Sequence, residues 1–529
     1  MSSIRQNPLP TLSQLREQLL LYRNQMIQLE TFTHSKFEEV HLTYQKSARN
    51  LIDYLSIRSM ELRVVQEGLH ELGLSSLSGC EIHIRSQIET VCQRIEELMG
   101  KRPFGPAESD PTVVNYEKGK SLLAEHAAEL LGTQADTGIV RIMVTMPSEA
   151  ATDYELVHNL MANGMNLARI NLAHDDESAW LNMIQHIKQA EQALNKRCKV
   201  YMDLAGPKLR TTHVPMEINK KGVAKGFRLM EGDIIYFHKS PDSKAAKKLA
   251  DTSGCMVLGT TLNQIFEDVM AGERLFLDDG KFAGVVQQND GEVMRVEILH
   301  TPPMGARLKP DKGINLPDSI LSTPSLTERD KSLIPFVCEH ADIVGYSFVR
   351  SADDIRELHQ LLLDHQQKQL PGMVIKIELG KAVKDLPNLL LAGMVNPRFG
   401  VMIARGDLAV EIGFERLSEI QEEILWLCTA GHVPVIWATQ VLERLAKEGL
   451  PSRSEVSDAS QAAKADCVML NKGPNIIATV RILDDILTRM IGHMNTKRQV
   501  MRPLRIAQRF VNQVQSDEAL SPGQGKPKK

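Results

Sequence analysis

Apolar residues recur at two different periods along this chain, and the change of period divides it. From residue 11 to about 100 the spacing is helical. Leu12, Leu15, Leu19, Tyr22, Met26 and Leu29 step by threes and fours, a heptad-like seam. A second helical stretch is expected over Ser47–Leu69, "LGLSSLSG" breaks it, and a third is expected over Glu81–Met99. Packing within a helix hairpin accounts for such seams without a dimerising coiled coil, which needs more heptads. "GKRPFGPAESDP", at 100–111, reads as a linker by its Pro and Gly content.

Beyond the linker, short apolar strands alternate with helical stretches. "RIMVTM" (141–146), "MNLARINL" (165–172) and "KVYMDL" (199–204) come first. The rhythm then lapses over 211–312, a stretch rich in Gly, Pro and Lys with β-like pieces such as "DIIYFHK", "RLFLDDG" and "RVEIL". It resumes with "ADIVGYSF" (341–348), "MVIKIE" (373–378), "GVMIARGDL" (400–408), "VPVIWATQ" (433–440) and "CVMLNKG" (467–473). Eight strands with helices between them predict an α/β fold: a (β/α)8 TIM barrel with an inserted β-rich domain after strand 3, plus an N-terminal all-α domain. A doubly wound open sheet is the structural alternative. The expected divisions are a helical domain and linker over 1–135, barrel over 136–210, a β-rich lid over 211–312, barrel again over 313–495, and a polar, poorly ordered tail over 496–529.

One strand poses a question. In "MVIKIELG" (373–380), Met373, Val374, Ile375 and Ile377 read as a strand buried on both faces, yet Lys376 and Glu378 alternate onto a single side. A buried charge is costly unless it is paired or bound. The pair is either a structural salt bridge or part of an active site. In a barrel, reactive groups sit at the C-terminal ends of strands. Here the second strand ends with Arg169, Asn171 and His174, and the third with Asp203, followed by Lys208 and Arg210. The fourth ends with Ser347 and Arg350, the sixth with Arg405 and Asp407, and the seventh with Thr439 and Gln440. Six polar strand ends aimed at one mouth favour an active site over packing.

Glu378 and Asp407, on adjacent strands, suit a hard divalent cation such as Mg2+, which takes one or two protein carboxylates and fills its shell with other oxygens. Arg169, Lys376 and Lys312 are cations suited to phosphoryl oxygens. Gly406 would let backbone amides approach an anion. No Walker A or GxGxxG sequence is present, so a nucleotide would be held differently from a P-loop.

Bulk properties narrow the class. The chain has 529 residues, too many for one core, and 43% of them are hydrophobic. A net charge of −4 argues against a general nucleic-acid binder. No apolar run approaches a membrane span, and "MSSIRQNPLPTLSQ" lacks the apolar core of a signal peptide. Seven scattered Cys (80, 92, 198, 255, 338, 428, 467) with no CxxC pair suggest free thiols in a reducing cytoplasm and argue against a zinc site.

The strand-end residues lie in motifs that resemble those of the pyruvate kinase family in order and spacing. They are "MNLARINLAH", "MDLAGPKLRT", "FLDDGK", "KGINLPD", "LTERDK", "SFVRSADDI", "VIKIE", "VMIARGDLAVEI" and "VPVIWATQVLE…PSRSEVSDASQA", over about 139–490. The resemblance implies a barrel with a mobile inserted β-domain. It implies phosphoryl transfer from phosphoenolpyruvate to ADP, giving pyruvate and ATP, with Mg2+ (or Mn2+) as cofactor. By motif, Glu378 and Asp407 would hold the metal, Lys376 would stabilise the transferring phosphoryl, and Arg169 would grip the phosphate. Amides around Arg405, Gly406 and Asp407 would hold the substrate carboxylate, and Thr439 would lie in the proton-relay region. Asn171, His174 and Lys312 would contact nucleotide phosphates. A cytoplasmic homo-oligomer with no nucleic-acid or membrane partner is expected. Two rivals are a non-catalytic homologue that binds phosphoenolpyruvate or a protein partner, and a lyase of a related Mg2+/pyruvate barrel.

Departures from the family pattern are specific. Most members hold potassium with an Asn, a Ser, an Asp and a Thr. Here Asn171 and Asp203 remain, but Ala173 and Leu204 replace the other two. "LAGPK" carries Lys208 where the family has Glu, so Lys208, near Asp203, is expected to substitute for the monovalent ion and potassium is not required. "TMPSEA" stands for "TIGPAS", Leu379 follows "KIE" in place of Asn, and "NKGPNII" replaces "SGETAKG". The family's usual C-terminal domain is not expected in this chain, nor is effector control of that type.

Overall fold

The computed structural model describes residues 10–101, 111–133, 140–218, 224–366 and 369–491, with two short strands at 494–495 and 498–499. Eight parallel strands close into a barrel: Arg141–Thr145, Met165–Asn171, Lys199–Asp203, Ile343–Tyr346, Gly372–Ile377, Phe399–Ala404, Val435–Ala438 and Cys467–Leu470. Each strand pairs with its neighbours in chain order, and the first pairs with the eighth, which excludes the open doubly wound sheet. The strands are buried on both faces because helices cover the outside and side chains fill the inside. Polar caps start several of those helices. Thr327 with Asp330, Ser351 with Asp354, and Ser452 with Glu455 each form a reciprocal capping box.

Between the third and fourth strands the chain leaves the barrel. It builds a seven-stranded sheet and a three-stranded sheet, with a separate apolar core around Phe237, Leu275, Phe282 and Val296. This insertion also carries a helix, Lys244–Ser253, capped by Ser243. The sixth strand is shorter than its sequence pattern suggests. It stops at Ala404, and "RGDLAVEI" is a helix, Arg405–Ile412, so Gly406 and Asp407 belong to a helical first turn.

Among the described residues, five α-helices precede the barrel: α1 (Leu12–Phe32), α2 (Gln45–Arg58), α3 (Arg63–Glu71), α4 (Ile84–Leu98) and α5 (Tyr116–Leu131). The seam of α1 buries Leu15, Leu19, Tyr22 and Met26. The stretch expected as one helix over Ser47–Leu69 is two: the first tightens into i→i−3 bonds at its end, Met60 N donating to the Ile57 carbonyl at 3.1 Å, and Glu61 caps the Arg63 amide of the second at 2.9 Å. The periodicity did not reveal α5, which Asn115 caps. Its last turn sends Leu130 and Leu131 into the floor of the barrel, where they pack with Met143, Leu167 and Val374. Glycines open the way: a side-chain carbon on Gly400 would lie 2.5 Å from Leu130 Cδ2, and one on Gly372 2.6 Å from Cδ1.

A buried polar seam joins these helices to the loop before the seventh strand. His432 Nε2 donates to the Ile82 carbonyl at 2.9 Å, and its Nδ1 lies 3.0 Å from Ser47 Oγ. His126 Nδ1 donates to the His432 carbonyl at 2.8 Å, and Asn50 Nδ2 donates to the Ala430 carbonyl at 2.8 Å. Most of the linker expected at 100–111, and the polar tail expected from 496 apart from the strand Arg498–Gln499, lie outside the described residues. Among the described residues, no helix is long and apolar enough to cross a membrane.

Candidate functional site

The C-terminal mouth of the barrel holds a cleft of about 320 Å³, lined by Arg169, Asn171, Asp203, Lys208, Ser347, Lys376, Glu378, Asp407 and Thr439, among others. Lys376 and Glu378 are both buried, on one side of the fifth strand's end, and Lys376 Nζ lies 3.1 Å from Glu378 Oε1. The ammonium also donates to Ser347 Oγ at 2.8 Å and lies 3.4 Å from Asp203 Oδ2. Arg169 Nε donates to that same Asp203 oxygen at 3.0 Å, and its Nη1 to Thr145 Oγ1 at 3.0 Å. Two cations and two carboxylates from three strands thus form one buried network.

Its electrostatics are uneven. Burial works to raise the Asp203 carboxyl, but Lys376 and Arg169 beside it hold it below the ordinary range. Burial works to lower Lys376, but Asp203 and Glu378 reverse this and hold its ammonium above the usual value. Glu378 differs. Burial raises it, Lys376 opposes that, and the charge of Asp407 raises it further. The Glu378 and Asp407 carboxylates therefore repel one another across the cleft, each held by a lysine, Lys376 and Lys208.

Asp407 sits in the first turn of its helix. Lys208 Nζ reaches it at 3.0 Å from Oδ2, and Asn315 Nδ2, on the strand leaving the insertion, lies 3.4 Å from Oδ1. Lys208 therefore stands on Asp407, while Asp203 is held by Arg169 and Lys376. Thr439 has φ +66° and Gln440 φ +55°, a left-handed backbone that is costly for a β-branched residue. Two contacts hold it there: Gly406 N donates to Thr439 Oγ1 at 2.8 Å, and Arg405 Nη2 donates to the Thr439 carbonyl at 2.5 Å. Arg405 is itself buried, paired with Asp458 and stacked on Trp437.

A second cleft, of about 280 Å³, shares Arg169 and Asn171 with the first and adds His174, Asp175 and Lys472. Lys312 lines neither cleft and is paired with Asp278 at 2.7 Å. Arg350 turns to the Leu321 and Thr323 carbonyls. Asp458 and Thr145, which pin Arg405 and Arg169, were not singled out from the sequence. Asp458 lies inside the motif "SRSEVSDASQA", whereas Thr145 carries no local signal.

The donor set fits a hard divalent ion. Among the described residues, no group of three or more His, Cys, Asp or Glu forms a ready cage. Mg2+ needs only one or two carboxylates. The repulsion between Glu378 and Asp407 is what such an ion would relieve.

The model of the pyruvate kinase barrel domain matches residues 137–474. The chain is similar to the pyruvate kinase of Clostridium perfringens, 30% identical over 60% of this chain and 62% of that one. It is similar to that of Thermotoga maritima, 29% identical over 63% and 67%, and to that of Geobacillus stearothermophilus, 30% identical over 61% and 51%. It thus spans between about half and two thirds of the length of these relatives. With the match covering the eight strands, the insertion and every residue of the main cleft, the chain belongs to the pyruvate kinase family.

Proposed function

We propose that the chain transfers the phosphoryl group of phosphoenolpyruvate to ADP, giving pyruvate and ATP, as a Mg2+-dependent and potassium-independent cytoplasmic homo-oligomer. The observation that carries this reading is the convergence of Arg169, Lys376, Glu378, Asp407 and Thr439 on one cleft.

Arg169 and Lys376 are aimed by Asp203, Thr145 and Ser347, so two cations meet the incoming phosphate in a fixed geometry. Glu378 and Asp407 would hold the Mg2+ (or Mn2+), which supplies positive charge to phosphoryl and carboxylate oxygens when bound. The substrate carboxylate would meet the backbone amides at the start of the Arg405–Ile412 helix, around Gly406 and Asp407, with Gly406 N exchanging its bond to Thr439 Oγ1 for the carboxylate. In the reaction the enol P–O bond breaks and a terminal ADP oxygen forms a new P–O bond. Lys376 stabilises the charge spread over the transferring group. The enolate then takes a proton from solvent at carbon 3, with Thr439, which lines the cleft, proposed to lie on that side.

Asn171 and His174, in the cleft that adjoins through Arg169, are suited to the ADP phosphates. Lys312, on the insertion side, would join them once its Asp278 partner is released. Lys208 supplies a fixed cation beside the metal carboxylate Asp407, the proposed reason that no potassium is needed. The test is single-turnover transfer of labelled phosphoryl from phosphoenolpyruvate to ADP, with wild type and Glu378→Gln compared across Mn2+ concentrations. Transfer that saturates with Mn2+ in the wild type, and needs far more Mn2+ in Glu378→Gln, supports the reading. Absence of transfer in the folded wild type rejects it.

A further inference from the structure

Asp203 uses only half of its carboxylate. Both side-chain nitrogens of Arg169 that reach it, and Lys376 Nζ, converge on Oδ2. Oδ1 is buried without a hydrogen-bond partner. A bare oxygen on a buried, ionised carboxylate is costly. A second such atom lies beside it: the hydroxyl of Tyr201, a fully buried side chain, also has no partner.

The backbone explains the meeting. Tyr201 and Asp203 are two residues apart on the third strand, so both side chains project to the same side, into the barrel. Tyr201 belongs to the interior cluster with Met402 and Met469, and these two residues also line the floor of the cleft that holds Asp203. The fourth strand makes room with Gly345, which is in register with Asp203. A side-chain carbon there would lie 2.1 Å from the Tyr201 hydroxyl and 2.5 Å from Asp203 Oδ1. Both atoms thus crowd the single space left by one glycine, within reach of one bridging water. A phenol can donate and a carboxylate oxygen can only accept, so their needs match.

We propose that Tyr201 is a positioning residue: its hydroxyl donates to Asp203 Oδ1, directly or through one buried water, and so fixes the carboxylate whose other oxygen holds Arg169 and Lys376. Tyr201 lies beneath the reacting groups and touches no substrate. Its effect passes through Asp203 to the two cations, and in its consequence for turnover it rests on the phosphoryl-transfer reading.

Two measurements test this. A crystal structure of the full chain at about 1.5 Å should show the Tyr201 hydroxyl on Asp203 Oδ1, or both on one ordered water, within the usual ~2.5–3.0 Å of O–H···O bonds. A hydroxyl bonded elsewhere, with Oδ1 served by another group, overturns the proposal. Tyr201→Phe keeps the ring and removes the donor. It should lower kcat about tenfold, the worth of one hydrogen bond to a charged group, and also lower the melting temperature, because it leaves Asp203 Oδ1 without a donor. The acid limb of its pH profile should move to higher pH, because Asp203 loses a donor that favours its ionised form; a purely structural role would leave that limb in place. Wild-type kcat and pH profile in Tyr201→Phe would defeat the proposal. A wild type that transfers no phosphoryl group defeats the phosphoryl-transfer reading, and the crystal structure then decides the Tyr201 contact alone.

Discussion

Lys376 Nζ and Glu378 Oε1 stand 3.1 Å apart at the end of one barrel strand, both buried. A structural salt bridge would end there. This one continues through Asp203 to Arg169 and opens onto a cleft. Lys376→Met removes the ammonium and nearly keeps the side-chain length. It should reduce phosphoryl transfer by about a thousandfold or more, the scale expected when a group acting on transition-state charge is lost. The same variant should remain folded, as read by circular dichroism. Retained turnover would assign Lys376 to packing.

Lys208 presents a different relationship. Its ammonium is 3.0 Å from Asp407 Oδ2, on the metal-binding side of the proposed site. Turnover should therefore proceed in buffer free of potassium, sodium and ammonium, and added potassium should raise it by less than about twofold. Lys208→Met should lose about tenfold in that buffer, the loss expected for one well-placed charge. Titration with potassium chloride against a tetramethylammonium control distinguishes these outcomes. A wild type that is silent without potassium would contradict the role given to Lys208.

The same contrast shows how far the sequence could be read. The barrel was legible because eight apolar strands alternate with helices, and the insertion because that rhythm lapses over 211–312. The strand-end charges were legible because alternation places Lys376 and Glu378 on one side. Partnership was not. Asp407 and Lys208 are far apart in sequence, and only the closed barrel and the chain entering the insertion bring them together. Nor was α5, whose function in the fold is to plug the barrel floor, a contact set by Gly372 and Gly400 on distant strands.

That plug is a size match. Gly400→Ala places a carbon 2.5 Å from Leu130 Cδ2, an overpacking that should cost about 1–3 kcal/mol. Leu130→Ala leaves a cavity and should cost about 2–5 kcal/mol. The double variant should be more stable than the sum of the two losses, because the smaller residue admits the new carbon. Urea denaturation of the four proteins measures the coupling. Strict additivity would show that Leu130 and Gly400 do not meet.

His432 makes stability depend on pH. Burial lowers it to about 3, against the help of its bond to the Ile82 carbonyl. An unfolded histidine titrates near 6.5, so between those values the unfolded chain binds the extra proton. Its contribution is intact above about pH 6.5 and is lost as the pH falls, by about 1.4 kcal/mol per unit once the unfolded histidine is protonated. Asp53 and Glu411, both raised by burial to about 7, act in the opposite sense over part of this window. The difference between wild type and His432→Asn isolates the histidine. Asn tolerates the φ of +48° found at this position. Melting temperature should fall more steeply from pH 7 to pH 5 in wild type than in the variant. Parallel curves would show that His432 is not buried in its neutral form.

The most direct measurement follows pyruvate and ATP together, from phosphoenolpyruvate and ADP, in the full chain stripped of divalent ions and then titrated with Mg2+. The account predicts no product before the titration, and equal amounts of pyruvate and ATP after it. Pyruvate without ATP would indicate hydrolysis in place of transfer. No product at any Mg2+ concentration from the folded protein would contradict the account.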